Sequence, residues 1–244
     1  MEKIIEVKDL NKTYYLFDKE YKVIPWLLTG KGCKSQKEAL KNISFQVNPG
    51  EIVGIIGVNG AGKSTLMKLI AGITYPTSGE VNVHGRIGSL INLSAGFHPD
   101  YSGRKNIYYK GTMMGLSQDQ IDSIIEDVEA FVELGEYFDR PIRMYSAGMA
   151  ARLGFALAVF MEPEILIVDE VLAVGDKKFQ QKSREKILEM FQNGKAVLFS
   201  SHSDQLIEEF CSRVLYLKDG QIVFDGEVKE GLRRYNEDLR LQKK

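Results

Sequence analysis

A glycine-rich stretch, GVNGAGKST at residues 57–65, has the residue types and spacing that bind phosphate. Its glycines let successive backbone N–H groups turn inward onto phosphate oxygens. Lys63 is expected to reach the β- and γ-phosphates, and the hydroxyl of Ser64 to bind Mg²⁺. The stretch therefore predicts a P-loop. The residues expected to contact the nucleotide are Gly57, Asn59, Gly60, Ala61, Gly62, Lys63, Ser64 and Thr65.

Two adjacent acids, Asp169 and Glu170, end the apolar run ILIV. A buried strand that ends in acid is where a P-loop finds its second carboxylate, so Asp169 would hold Mg²⁺ directly or through water. Glu170, one residue further, would polarise the attacking water. His202 directly follows the strand-like run AVLFSS, at the carboxyl end where open α/β sheets bind ligands. It could contact the γ-phosphate or be structural.

These residues need an α/β layer to position them. The apolar segment EIVGIIG, at 51–57, is typical of a buried strand, and a helical pattern follows the glycine loop. Later strand-like segments lie at 164–170, 196–201 and 214–226, the last a hairpin around Asp219 and Gly220. Because helical stretches separate the buried strands, the sheet is predicted to be parallel.

The beginning and the middle of the chain differ from this layer. Residues 4–7 and 43–47 alternate apolar and polar side chains, as half-buried strands do. From Arg104 to about residue 161 there is no convincing strand pattern. Ser117 and Gln120 form a capping box before a helical apolar stripe. A helical subdomain is thus predicted, inserted into the α/β core.

Composition restricts the function classes. The 244 residues, 44% of them hydrophobic, fit one large domain or a core with a subdomain. The 32 Lys and Arg against 33 Asp and Glu give no global field that would favour nucleic acid. Cys33 and Cys211 are expected to be two free thiols. The longest nearly apolar stretch, residues 153–161, is too short to span a bilayer, so the chain itself is expected to be soluble.

Five motifs together resemble, in order and spacing, the nucleotide-binding subunits of ABC transporters over nearly the whole chain. They are GVNGAGKST, YSAGM, ILIVDE, AVGD and SSH. The resemblance implies the ABC ATPase fold: an α/β P-loop NTPase core with a parallel sheet, an N-terminal antiparallel β subdomain and an inserted α-helical subdomain at about 100–161. It implies a single domain over 1–244, ATP and Mg²⁺ as cofactors, and ATP hydrolysis as the activity.

The segment YSAGM, residues 145–149, is the signature turn of this resemblance and has no acid, base or metal ligand. The resemblance assigns Ser146 and Gly148 to the γ-phosphate of ATP bound by a second copy, which implies a homodimer. A serine hydroxyl, glycine N–H groups and a helix N-terminus can together bind an anion. The turn departs from the usual Leu-Ser-Gly-Gly-Gln, since Tyr145, Ala147 and Met149 replace the Leu, the first Gly and the Gln.

Three further positions take roles from the resemblance alone. Asp176 occupies the D-loop place, within AVGD. Asn92 is the amide nearest to the expected Q-loop glutamine. Tyr14 stands where the family stacks an aromatic ring on adenine, and Tyr15 is the competing candidate.

Three segments resemble the branch of this family that exports bacterial O-antigen, capsule or teichoic acid. They are the degenerate signature turn, AVGD, and SAGFHPDYSGRKNI at 94–107. This implies a lipid-linked polysaccharide substrate, two copies of a multi-span permease as partners, and a peripheral place on the cytoplasmic face of the bacterial inner (cell) membrane. No nucleic-acid partner is expected. The alternatives are an ABC ATPase of another export system and a soluble ABC ATPase. The signature turn and His202 argue against a P-loop kinase or GTPase.

Two remaining segments complete the predictions. The segment YKVIPWLLTGKG, residues 21–32, either covers a sheet edge or forms a short amphipathic helix at the membrane surface, where Trp26 would favour the interface. After the hairpin, residues 227–244 are predicted to be a short polar tail. No C-terminal carbohydrate-binding β-sandwich is therefore expected, and direct sugar recognition by this chain is not expected.

Overall fold

Two units, each built from separate parts of the chain, make up the computed structural model of the protein. The structure describes residues 3–16, 35–91, 93–169, 175–201 and 203–242. The first unit takes its described residues from 1–48, 53–84 and 203–244, and the second from 49–52 and 85–202. The segment 21–32, with its two interpretations, lies outside the described residues.

Strands and helices follow one another along the described residues. The strands are β1 (Ile5–Leu16), β2 (Ser35–Val47), β3 (Ile52–Ile56), β4 (Ser78–Val83), β5 (Ile87–Ser89), β6 (Ile165–Val168), β7 (Ala196–Ser200), β8 (Arg213–Lys218) and β9 (Gln221–Gly226). The α-helices are α1 (Lys63–Ile70), α2 (Gly103–Met113), α3 (Gln118–Val132), α4 (Ala147–Phe160), α5 (Lys177–Gln192), α6 (Asp204–Phe210) and α7 (Val228–Gln242). The 3-10 helices Gly135–Asp139 and Ile142–Met144 connect α3 to α4.

In the first unit, β1 lies between β2 and β4 in an antiparallel sheet. Both β1 and β2 extend well beyond the predicted residues 4–7 and 43–47. Asp9 and Asn42 have positive φ angles of 47° and 48° next to shifts in the strand register. Such bulges interrupt the alternation of buried and exposed side chains. The apolar pattern therefore reveals only the regular ends of these strands.

The same unit contains β3, which pairs in parallel with β8, and the hairpin of β8 and β9. Asp219 and Gly220 have φ angles of 50° and 80° between these two strands. Two successive residues with positive φ are typical of a tight hairpin turn that matches the strand twist. The predicted hairpin is confirmed.

The described residues of the predicted polar tail form α7, which was not among the predicted helices. Val228 and Leu232, one helical turn apart, are both buried. On the exposed side, Arg233 forms ion pairs with Glu230 at 2.8 Å and with Glu237 at 2.6 Å. Ion pairs three and four residues apart stabilise a helix. They explain why this segment is helical although it has few apolar residues.

The second unit contains the parallel strands β5, β6 and β7 in that order. All four residues of β6 are buried, as the apolar run ILIV predicts. The three-residue β5 and the largely exposed β4 of the first unit were not among the predicted strands. Their patterns are too short or too polar for a periodicity argument to detect.

Helices α2, α3 and α4 of the second unit form the predicted helical region. The capping box of Ser117 and Gln120 is present at the start of α3. The buried residues of α3 are Ile121, Ile125, Val128, Phe131 and Val132. The ring of Phe131 packs on those of Phe155 and Phe179, with centroids 5.9 and 5.4 Å apart. Across the described ranges, no helix is long and apolar enough to cross a membrane.

Candidate functional site

The glycine loop of the first unit joins the end of β3 to the start of α1. Gly57, Gly60 and Gly62 have φ angles of 150°, 85° and 110°, which L side chains rarely adopt. A Cβ on Gly62 would lie 2.7 Å from the carbonyl oxygen of Ala39 and 2.8 Å from a methyl carbon of Leu40. Glycine is therefore required at this position by backbone conformation and by space.

Lys63 is the first residue of α1 and is buried. Its Nζ donates to the carbonyl oxygens of Gly57 at 2.6 Å and Val58 at 3.3 Å. The backbone N–H of Ala61 donates to Val58, and that of Gly220 donates to Ala61, each at 3.1 Å. The loop is thus closed on itself and supported by the turn between β8 and β9.

The exposed residues around the start of α1 include Asn59, Gly60 and Ser64, and Thr65 is half-buried. A cation, a serine hydroxyl and the unpaired N–H groups of a helix N-terminus are the groups that bind phosphate. The residues present therefore fit a phosphate group.

Asp169 follows β6 in the second unit and is half-buried. Mg²⁺ binds oxygen ligands and often takes only one or two from protein, with the rest from substrate phosphates and water. A serine hydroxyl and an aspartate carboxylate are suitable donors. Across the described residues no group of three or more His, Cys, Asp or Glu is placed to hold a metal ion.

Three predicted site residues, Asn92, Glu170 and His202, lie outside the described residues. Their roles remain predictions from the sequence. The described residues that precede them in the chain lie shortly after β5, β6 and β7, respectively.

The signature turn begins α4 in the second unit. Ser146 is the N-cap, and its Oγ accepts a hydrogen bond of 3.2 Å from the backbone N–H of Met149. Ser146, Ala147 and Gly148 are all exposed. A Cβ on Gly148 would have only the Oγ of Ser146 within 4 Å, at 3.9 Å. The turn therefore presents an open helix N-terminus with a serine hydroxyl, as an anion site requires.

Tyr145, immediately before this turn, is half-buried. Its hydroxyl donates to the carbonyl oxygen of Tyr137 at 2.8 Å and lies 3.4 Å from that of Phe138. Burial raises the pKa of the Tyr145 phenol to about 12. The hydroxyl is thus a neutral hydrogen-bond donor at physiological pH.

Asp176 is the N-cap of α5, and its Oδ1 accepts a hydrogen bond of 2.9 Å from the backbone N–H of Phe179. Its Oδ2 lies 2.6 Å from Nη2 of Arg152 in α4. The hydrogen bond from Phe179 and the charge of Arg152 lower the pKa of the Asp176 carboxyl. Sequence reasoning missed Arg152, although it is the one charged side chain in the sequence of α4.

Tyr14 and Tyr15 lie near the end of β1 in the first unit, with 39% and 36% of their surfaces exposed. The Nζ of Lys12 is 5.0 Å from the ring centroid of Tyr14. Both rings are accessible to a planar ligand, so both remain candidates for stacking on adenine.

Comparison with protein families gives a match to the ABC transporter model over residues 40–173. This range is more than half of the chain and includes the P-loop, the signature turn and the two acids after β6.

Curated relatives come from two kinds of export system. The teichoic acids export ATP-binding protein TagH of Bacillus anthracis is 40% identical over 236 residues, which are 97% of this chain and 43% of that protein. The O-antigen export system ATP-binding protein RfbB of Klebsiella pneumoniae is 44% identical over 201 residues, 82% of each chain. The chain thus spans less than half the length of the TagH relative.

Solved structures share the fold. An ATP-binding subunit of an ABC transporter superposes with a TM-score of 0.73 at 21% identity, over 96% of this chain and 93% of that chain. A dimeric ATP-binding cassette, solved with ADP and phosphate, gives a TM-score of 0.69 at 22% identity over 92% and 98%. The predicted P-loop α/β fold with its antiparallel and helical additions is confirmed by these likenesses.

Proposed function

The chain belongs to the ABC transporter family, and from this we propose that it binds and hydrolyses ATP as a homodimer, with each ATP held between the P-loop of one copy and the signature turn of the other. The observation that carries the proposal is the exposed start of α4. Ser146 and Gly148 are open there, and no acid or base accompanies them in the turn. Such a turn can bind a phosphate but cannot perform the chemistry alone.

Within each copy, the P-loop would hold the β- and γ-phosphates through its N–H groups and Lys63. The Nζ of Lys63 donates to Gly57 and Val58 in this structure, and with ATP bound it would donate at least one of its three N–H groups to a phosphate oxygen. The contacts proposed for the rest of this loop are those of Asn59, Gly60, Ala61, Gly62, Ser64 and Thr65. The loop thereby fixes the end of the triphosphate where hydrolysis occurs.

Mg²⁺ would be held by the hydroxyl of Ser64 and the carboxylate of Asp169, and when bound it neutralises charge on the phosphate oxygens. Glu170 would accept a proton from the attacking water. His202 would donate a hydrogen bond to the γ-phosphate. These assignments are proposals that follow from the sequence pattern and the family.

The remaining assignments concern the rest of the nucleotide and the partner copy. Tyr14, or alternatively Tyr15, would stack on adenine, since both rings are accessible. Asn92 would take the Q-loop place. Asp176 would act at the dimer boundary, although its carboxylate already caps α5 and pairs with Arg152.

The process powered by ATP is proposed to be export of a lipid-linked polysaccharide. Support comes from relatives in teichoic acid and O-antigen export at 40% and 44% identity. The partners would be two copies of a multi-span permease, and the chain would bind them at the cytoplasmic face of the bacterial inner membrane. An ABC ATPase of another export system is the alternative.

Purification from native membranes tests this proposal. The chain, isolated with Mg²⁺ and a non-hydrolysable ATP analogue, should bring along a multi-span membrane protein and a lipid-linked glycan identifiable by mass spectrometry. The Lys63→Ala variant is the matched control, because it should bind the same membrane protein but hydrolyse no ATP. Recovery of the chain from native membranes as an active ATPase with no membrane protein and no glycan bound would contradict the export role and leave only the ATPase.

A further inference from the structure

We propose that Tyr145 is a positioning residue whose hydroxyl holds the signature turn in the geometry that receives the γ-phosphate of the partner copy. The inference rests on the proposed function, because it concerns the same site between two copies. Tyr145 immediately precedes Ser146 and occupies the position where the usual pattern has Leu. A leucine could pack there but could form no hydrogen bond.

The hydroxyl is held from two sides. It donates to the carbonyl oxygen of Tyr137 at 2.8 Å, and the carbonyl oxygen of Phe138 lies 3.4 Å away. Gly103, the first residue of α2, lies against the same hydroxyl, since a Cβ added there would overlap its oxygen. One oxygen atom thereby bonds the turn to the 3-10 helix Gly135–Asp139 and packs against the start of α2.

Backbone hydrogen bonds support the same connection just before Tyr145. The N–H of Ile142 donates to Tyr101 at 2.9 Å, and that of Arg143 donates to Pro99 at 3.0 Å. These bonds fix the approach to the turn, and the N–H of Tyr145 itself donates to the carbonyl oxygen of Ile142 at 2.8 Å. The Tyr145 hydroxyl is the side-chain contact adjacent to Ser146, so it controls how the cap residue is aimed.

Gly103 leaves the space that this arrangement needs. A Cβ at this position would overlap the hydroxyl of Tyr145 and would lie 2.9 Å from the carbonyl oxygen of Phe138. Its φ is not in the left-handed region, so glycine is required here for space. The absence of a side chain at Gly103 therefore allows the hydroxyl of Tyr145 to reach its acceptors.

The expected consequence of losing the hydroxyl is specific. The turn would still exist, because Ser146 caps α4 independently. A hydrogen bond that positions a binding group is worth up to about tenfold in an equilibrium constant. A looser turn should therefore weaken binding of the partner's ATP while leaving the chain's own P-loop unaffected.

The test uses Glu170→Gln as parent, because this variant should retain ATP and form a dimer. In the parent, Tyr145→Phe should raise the dimer dissociation constant about tenfold at saturating ATP and Mg²⁺, measured by analytical ultracentrifugation. Affinity of the dilute monomer for a fluorescent ATP analogue should stay unchanged. Tyr108→Phe is the matched control, since it also removes a tyrosine hydroxyl from a hydrogen bond, but that bond is to Asp122 on α3. It should change neither quantity.

A second variant addresses the same hydroxyl without removing it. Gly103→Ala should displace the hydroxyl and weaken dimerisation about as much as Tyr145→Phe does. The double variant should dimerise no more weakly than the weaker-binding single variant, because both substitutions remove the same contact. Dimerisation of Tyr145→Phe equal to that of the parent, whatever its melting temperature, would overturn the inference. So would an equal loss of monomer affinity for ATP. Failure of the parent itself to dimerise with ATP would instead overturn the proposed function.

Discussion

The guanidinium of Arg152 connects two helices of the second unit, because its Nη2 lies 2.6 Å from the carboxylate of Asp176. Arg152 is on α4, the helix that begins at the signature turn, and Asp176 is the N-cap of α5. The same guanidinium lies over the ring of Phe179, 5.0 Å from its centroid. The start of α5 is thus attached to α4 by an ion pair and by an aromatic contact.

We expect this attachment to matter more than an ordinary surface ion pair. Arg152→Ala should lower the melting temperature more than Asp176→Asn, because the alanine removes packing on Phe179 as well as the charge. The asparagine can still cap α5. Glu189→Gln, which breaks an exposed pair with Lys186, is the control and should have little effect. Calorimetry in which all three variants melt alike would contradict the expectation.

Substitutions at two glycines of the P-loop should separate strain from overlap. Gly60→Ala should cost about 1–2 kcal/mol, because a side chain is strained at this positive φ but has nothing within 4 Å. Gly62→Ala should cost at least ~1 kcal/mol more, because its Cβ would also meet Ala39 and Leu40. Urea unfolding of both variants measures the difference. Equal free energies of unfolding would show that the loop yields easily at Gly62.

Glu170→Gln should trap ATP in a dimer, because the proton acceptor for the attacking water is lost while both phosphate sites remain. A shift from 1:99 to 99:1 requires ATP to favour the dimer by about 5.5 kcal/mol. Size-exclusion chromatography with ATP and Mg²⁺ should show the dimer, and the exposed Glu162→Gln control should hydrolyse ATP normally. A monomeric Glu170→Gln variant that hydrolyses ATP at the normal rate would exclude Glu170 as the general base.

Ser146→Arg should abolish ATP-driven dimerisation and leave ATP binding to the monomer nearly intact. The side chain is exposed and acts on the partner's nucleotide in the proposal, so its own P-loop is undisturbed. Ser123→Arg on the exposed side of α3 provides the matched control. Titration of the monomer with a fluorescent nucleotide decides the matter: a fall in affinity equal to the loss of dimer would reject the assignment between copies.

Alkaline pH should destabilise the protein partly through Tyr145. Its pKa is raised from 10.0 to about 12 in the fold. A raised pKa contributes stability that is fully present below the unfolded value and is lost as pH rises toward the folded value. Between pH 10 and 12 the free energy of unfolding should therefore fall less steeply for Tyr145→Phe than for the unchanged protein. Parallel pH profiles of the two proteins would argue that the phenol is not buried.

Patterns with a local cause were the ones that the sequence predicted well. Three such patterns depend only on residues that are close in the sequence, so they can be recognised without the fold. They are the glycine spacing of the P-loop, the buried run before Asp169 and the capping box at Ser117. The ends of β1, the three-residue β5 and the charged helix α7 depend on long-range pairing or on ion pairs. Arg152 was missed for a related reason, since its partner Asp176 is distant in sequence and close only in the fold.

The cap at Ser146 has a consequence for the kind of ligand that the signature turn can accept. Because the Oγ accepts the N–H of Met149, its own hydrogen is free to be offered outward. The N–H groups at the start of α4 are also donors. The turn thus presents mainly donors, which suits a fully deprotonated oxygen such as that of a phosphate. Aspartate, an equally good helix cap, would place a negative charge against the same oxygen.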